Sequence, residues 1–275
     1  MSLHRRRFFH AVGDTALTGL TAAAMGAAAC ARVAEAAEPV ASARGTARAH
    51  DGSDIVFEAH GDGPNVLIPR FPSREGFITA LAGHYRLVFF QYPGRPKPTT
   101  LTPDAIVRDV LAVADAAGAD RFAWFGYSWT AVVGLQLAIR TDRLTALAIG
   151  GFPPLGGPYA EMLARTTANL ERAQPAEVPQ RRQWVTLYEA LRGFDDRAIQ
   201  HRITCPRLCW VGSEDRAEFD GKLFADFAGP VRKNRAELEK LGWEIRILEG
   251  LDHLGAARDE VVIPLLGDWF KARLR

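Results

Sequence analysis

Cysteine is scarce in these 275 residues, with three in all: Cys30, Cys205 and Cys209. Cys205 and Cys209 lie four apart in an expected strand, where a rise of about 3.3 Å per residue holds them roughly 13 Å from each other, too far for a disulfide. Both are read as buried apolar thiols. No Cys and His spacing of the metal-binding kind occurs, so no metal site is expected. A surplus of one charge is missing too. The chain has 34 Lys and Arg against 32 Asp and Glu, and setting aside the four arginines and two carboxylates before Ala37 leaves both signs level. Such a balance offers no basic footprint for a nucleic acid. There is no internal repeat and, beyond the first 36 residues, no low-complexity segment. What is present is 48% hydrophobic and 24% charged residues, the composition of one globular domain.

The remaining asymmetry sits at the start. Arg5-Arg6-Arg7-Phe8-Phe9 is followed by an Ala/Gly/Thr-rich stretch from Ala11 to Ala31, then by Ala34-Glu35-Ala36, an A-x-A cleavage pattern. This segment resembles a twin-arginine export signal, with a paired arginine ahead of an apolar region weakened by His10 and Asp14. A spanning helix wants about 20 strongly apolar residues, and Asp14 at its centre would cost about 3 kcal/mol. Residues 1–36 are therefore read as an export signal taken by the twin-arginine machinery. The mature chain is expected to be periplasmic or extracellular, with no stable membrane span. Cys30 follows Ala28-Ala29, but Ala27 stands where lipoprotein signals usually have Leu, so Cys30 is not read as a lipid anchor.

From Gly45 onward, apolar runs of strand length alternate with longer helical patterns, the signature of a mostly parallel sheet with helices on both faces. A hairpin from Gly45 to Ala59 turns at Asp51-Gly52. The runs Val66–Ile68, Leu87–Phe90, Phe122–Phe125, Ala146–Ile149, Leu208–Val211 and Ile245–Leu248 suit strands covered on both sides. Thr102 caps a helix with Pro103 in its first turn and Ile106, Val110 and Val113 on one face. A helix from Trp129 to about Thr141 is apolar nearly all round and so belongs in the interior. Asp259 to Leu274 closes the chain as a helix. Residues 152–204 break the alternation with two or three helical patterns, Tyr159 to Glu171 and Gln180 to Leu191 among them. An insertion there is placed over the C-terminal edge of the strands, and it is read as a lid.

The strand Arg121 to Tyr127 runs straight into Gly126-Tyr127-Ser128-Trp129-Thr130 and then into the interior helix. This strand–turn–helix resembles the nucleophile elbow, G-x-S-x-G, of the α/β-hydrolase family. Thr130 replaces the second glycine. A serine hydroxyl needs a base, itself oriented by a carboxylate, and the family's order is Ser, acid, His, each after its own strand. After Leu208–Val211 comes Gly212-Ser213-Glu214-Asp215, and after Ile245–Leu248 comes Gly250-Leu251-Asp252-His253. The resemblance thus implies Ser128, Asp215 and His253 as catalytic residues, with Glu214 a credible substitute for Asp215.

The resemblance covers about Gly45 to Arg275 and departs at two points. Where the family has His-Gly after its third strand, this chain has Pro69-Arg70, leaving Phe71 in the amide-donor position with Trp129 as its oxyanion partner. Arg70 is a candidate cation for a substrate carboxylate, and Tyr127 a second candidate substrate-binding residue. In Gln91-Tyr92-Pro93-Gly94-Arg95, Gln91 replaces an Asp common in the family. The expectation is an α/β-hydrolase fold over 37–275 with a small helical lid at 152–204. The implied function is cofactor-free hydrolysis of a small ester-like substrate, a carboxylester, lactone or thioester, through an acyl-enzyme. Its Ser nucleophile disfavours the family's haloalkane and epoxide branches, which need an alkyl-enzyme ester. The alternative is a non-catalytic binding protein whose oxyanion site Pro69-Arg70 has dismantled.

Overall fold

The computed structural model of the protein describes residues 42–69, 74–91, 101–219 and 222–274. The expected leader with Cys30, the residues Arg70 and Phe71, and the Tyr92–Arg95 turn lie outside the described residues. In chain order the elements are β1 (Ser42–Arg48), β2 (Asp54–His60), β3 (Asn65–Pro69), α1 (Arg74–Leu81), β4 (Arg86–Phe90), α2 (Pro103–Ala116), β5 (Phe122–Tyr127), α3 (Trp129–Ala138) and β6 (Leu144–Gly150). There follow α4 (Tyr159–Glu171), α5 (Val178–Ala190), β7 (Arg207–Gly212), β8 (Arg216–Phe219), β9 (Lys222–Asp226), α6 (Ala228–Lys233), α7 (Arg235–Lys240), β10 (Trp243–Leu248) and α8 (Asp259–Arg273).

Eight strands form one sheet in the order β1-β2-β4-β3-β5-β6-β7-β10. The β1–β2 and β2–β4 pairs are antiparallel and the rest are parallel. The continuous apolar runs resolve into two cores by the period of two that a strand imposes. Ala123 and Phe125 of β5, Ala148 of β6 and Leu208 and Trp210 of β7 face one way, against Phe77 of α1 and Val262, Leu266 and Phe270 of α8. Trp124, Leu147, Ile149, Cys209 and Val211 face the other way, against Ile106, Val110 and Val113 of α2 and Val132 and Leu135 of α3. Helix α3 is enclosed along its whole length from Thr130 to Ala138, as its all-round apolar sequence requires. Helix α2 starts where its capping residues stand, with Thr102 Oγ1 accepting the Ala105 amide at 3.2 Å.

Several local expectations are corrected. Helix α3 ends at Ala138, where the chain tightens and the Ile139 and Arg140 amides both turn to Leu137 O, two and three residues back. Helix α5 begins two residues early, at Val178, with Pro179 accommodated in its first turn. Cys205 lies outside the strand, since Pro206 has no N–H for a ladder and β7 starts only after it; Cys205 is half-buried and Cys209 fully buried, both as free thiols. The β8–β9 hairpin was not anticipated. Its sequence signal is Asp220-Gly221, with Arg216-Ala217-Glu218-Phe219 alternating polar and apolar residues before it.

The insertion at 152–204 carries α4, α5 and a 3₁₀ turn at Gln200–Arg202. Its two ends are pinned together by buried polar groups. Asp196 accepts the amides of Gly156 at 3.1 Å and Gly157 at 2.8 Å. Gln200 Nε2 donates to Pro154 O and to Asp196 O, each at 2.9 Å, while its Oε1 accepts Trp243 Nε1 at 2.8 Å. Among the described residues no helix is long and apolar enough to cross a membrane.

Candidate active site

Strand β5 delivers its chain at the C-terminal edge of the sheet, and the turn into α3 is tight enough to strain it. Ser128 stands at φ 58°, ψ −124°, the only non-glycine residue with positive φ among those described. Such a conformation costs on the order of 1–3 kcal/mol and persists only where its surroundings enforce it. The surroundings here are identifiable. Gly126 lies so close under α3 that a Cβ would run into Thr130 O and come within 2.6 Å of Trp124 Nε1. Thr130, in place of the second glycine, clips the turn from inside: its Oγ1 accepts Tyr127 N at 2.7 Å and donates to Tyr127 O at 2.8 Å. Trp124 Nε1 donates to Thr130 O at 3.1 Å, and Ser128 N to Gly150 O at 2.8 Å.

Ser128 Oγ meets His253 Nε2 at 3.1 Å, and His253 Nδ1 meets Asp215 Oδ1 at 2.8 Å. With Nδ1–H donating to the carboxylate, Nε2 is left as an acceptor for the serine hydroxyl. Asp215 is fully buried, whereas the His253 side chain keeps 30% of its surface exposed. Glu214, the neighbouring candidate, is exposed, and its described role is a backbone one, with its amide donating to Leu251 O at 2.9 Å. Asp215 is held by its main chain: Phe227 N and Ala228 N, just past β9, donate to its carbonyl at 2.9 and 3.1 Å.

Two aromatic rings border the imidazole, Tyr127 at 5.1 Å and Phe227 at 5.3 Å between centroids. Tyr127 is buried, and its hydroxyl donates to the His253 carbonyl at 2.5 Å. The structure thus ties the hydroxyl of Tyr127, the second candidate binding residue of the sequence, to the histidine loop. Burial, with the charges of Asp215 and Asp252 adding to it, drives the Tyr127 phenol far above its ordinary pKa, so it remains a donor. Phe227 was missed in the sequence, because its place depends on the unanticipated β8–β9 hairpin. Half-buried Trp129, the residue after the serine, stands edge-on to Trp184 of α5, 4.8 Å between ring centroids.

Trp129 N opens α3, where the first amides of a helix have no intrahelical acceptor and the dipole favours negative charge. Phe71, the second expected oxyanion donor, and Arg70 lie outside the described residues. Among the described residues no group of three or more His, Cys, Asp or Glu converges as metal ligands would.

No family model matches the chain. Solved structures do. A hydrolase from Pseudomonas aeruginosa PA01 superposes with a TM-score of 0.58 at 22% identity, over 82% of this chain and 98% of that one. A thermophilic esterase from Thermogutta terrifontis does so with 0.61 at 17%, over 85% and 100%. An enol-lactonase from Burkholderia xenovorans LB400 gives 0.56 at 19%, over 82% and 100%. With the parallel-rich sheet and its two helical layers, these likenesses define the class: the chain has the α/β-hydrolase fold.

Proposed function

We propose that the protein is a serine hydrolase that cleaves a carboxylester, lactone or thioester through an acyl-enzyme. The observation that carries this reading is the unbroken chain Ser128 Oγ, His253 Nε2, His253 Nδ1, Asp215 Oδ1, with contacts of 3.1 and 2.8 Å, on a serine held in a strained elbow. Ser128 gives its proton to Nε2 as Oγ attacks the carbonyl; Asp215 holds the imidazole's orientation and balances the imidazolium that forms. The Trp129 amide, with the Phe71 amide as its expected partner, stabilises the oxyanion. His253 returns the proton to the leaving alcohol, enol or thiol, and a water deprotonated by the same imidazole then releases the acid. The insertion at 152–204 acts as the lid, and the Trp129–Trp184 contact supports its place beside the serine. Residues 1–36 act as an export signal, so the mature chain starts at Ala37 outside the cytoplasm.

The test is covalent. A fluorophosphonate should label wild type at Ser128 and leave Ser128→Ala unlabelled, with p-nitrophenyl acetate turnover falling more than about a thousandfold in Ser128→Ala and His253→Ala, and no further in the double variant. Asp215→Asn should lower turnover by orders of magnitude while Glu214→Gln changes little. Saturable ligand binding without labelling would instead identify a binding protein.

A further inference from the structure

Asp215 and His253 come from neighbouring strands, β7 and β10, and their loops are sewn together directly. Ser213 N donates to Leu248 O at 2.8 Å, Gly250 N to Ser213 Oγ at 2.8 Å and Glu214 N to Leu251 O at 2.9 Å. The contact between His253 and Ser128 has no such support from adjacency. Strand β5 is separated from β10 by β6 and β7, three inter-strand spacings or about 14 Å. The histidine loop must therefore reach back across two strands and be held there. Two side chains of the described structure hold the loop back over the sheet, the first from the neighbouring strand and the second from β5 itself. Trp210, on β7, donates Nε1 to Ala256 O at 3.1 Å, and Tyr127, the residue before the nucleophile, donates its hydroxyl to His253 O at 2.5 Å.

We infer that Tyr127 is a positioning residue which sets the distance between Ser128 and His253 by tying the histidine's carbonyl to the nucleophile's own strand. Consecutive residues thus grip the histidine at its two ends, Ser128 at Nε2 and Tyr127 at the main-chain oxygen. Any drift of the loop toward β10 would stretch both contacts together. The ring has a prepared seat: Gly151, at φ 64°, lies so close that a Cβ would come within 2.6 Å of Tyr127 Cζ, and Trp210 packs at 5.9 Å between centroids. The raised pKa of the phenol keeps the donor in place throughout the working pH range.

The inference rests on the serine-hydrolase reading, and the experiment separates the two. The fluorophosphonate labelling rate of Ser128 and the kcat and KM for p-nitrophenyl acetate are measured in wild type, Tyr127→Phe and Tyr188→Phe. Tyr188 is a useful control, since its hydroxyl is buried with no hydrogen-bond partner among the described residues and it sits on α5. Tyr127→Phe should slow labelling and lower kcat about tenfold or more, the scale expected of a misplaced base, with KM within twofold. Its His253 Nδ1–H proton resonance should also broaden or move upfield. Tyr188→Phe should stay within twofold of wild type in every measure. If Tyr127→Phe fails to fold, replacement of Tyr127 by p-aminophenylalanine, which keeps a donor, must restore folding and bring labelling to within threefold of wild type. Wild-type rates in a folded Tyr127→Phe, or poor labelling in the donor-retaining replacement, would overturn the inference and leave the triad standing. An unlabelled Ser128 in wild type would overturn both.

Discussion

Thr130 occupies the position where the family pattern has glycine, yet the elbow depends on what a glycine lacks. Its buried hydroxyl both accepts from and donates to the main chain of Tyr127. Thr130→Val keeps the shape and removes both bonds, so it should cost about 1–3 kcal/mol in urea unfolding, whereas Thr130→Ser should keep most of the stability. Turnover should fall with the loosened elbow in the valine variant; a Val variant as stable and active as wild type would contradict this account. At this scale the sequence was partly legible. Ser128, Asp215 and His253 each stand two or three residues past a glycine (Gly126, Gly212, Gly250) that closes a strand-length run, a local pattern visible along the chain. Tyr127 and Phe227 were not legible in their roles, because these are set by contacts across strands that local spacing does not encode.

Among the elements, the insertion between β6 and β7 carries an unusual charge. Burial pushes the Asp196 carboxyl above its ordinary pKa, and the amides of Gly157 and Gly156, which pull it down, do not offset that. The folded protein therefore binds this proton more readily than the unfolded chain does. The penalty of the buried charge is present at neutral pH and is lifted as the pH falls through the raised folded value toward the unfolded value of 3.8. As the pH is lowered from neutral toward 3.8, melting temperatures should accordingly shift in favour of wild type relative to Asp196→Asn, and the opposite trend would exclude Asp196 as the cause. The helices α4 and α5 were legible from their apolar spacing, while the latch that joins their ends was not, since Asp196 and Gln200 read as ordinary loop residues until the fold brings Gly156, Pro154 and Trp243 to them. The β8–β9 hairpin escaped for a different reason: its strands are only four and five residues long, too short for periodicity to mark them.

Over the whole molecule, the parallel sheet was legible because strands covered on both faces must be apolar throughout, and the antiparallel edge was legible from Asp51-Gly52. The division of that apolar sequence into two cores has a consequence that can be timed. Cys209 points into the core under α2 and α3 from β7, a strand flanked by β6 and β10, while Cys205 stands half-buried before the strand begins. Among the described residues, these two thiols act as independent clocks. A disulfide reagent should modify Cys205 through local fluctuation of the native state, and Cys209 only when the sheet itself comes apart. The Cys209 rate, followed by mass spectrometry of the labelled peptides, should then track global unfolding across a urea series. Ligands that tighten the fold should slow it and leave Cys205 nearly untouched. Simultaneous modification of both would mean that β7 opens from its N-terminal end, and that the strand leading to Asp215 is less durable than its packing implies.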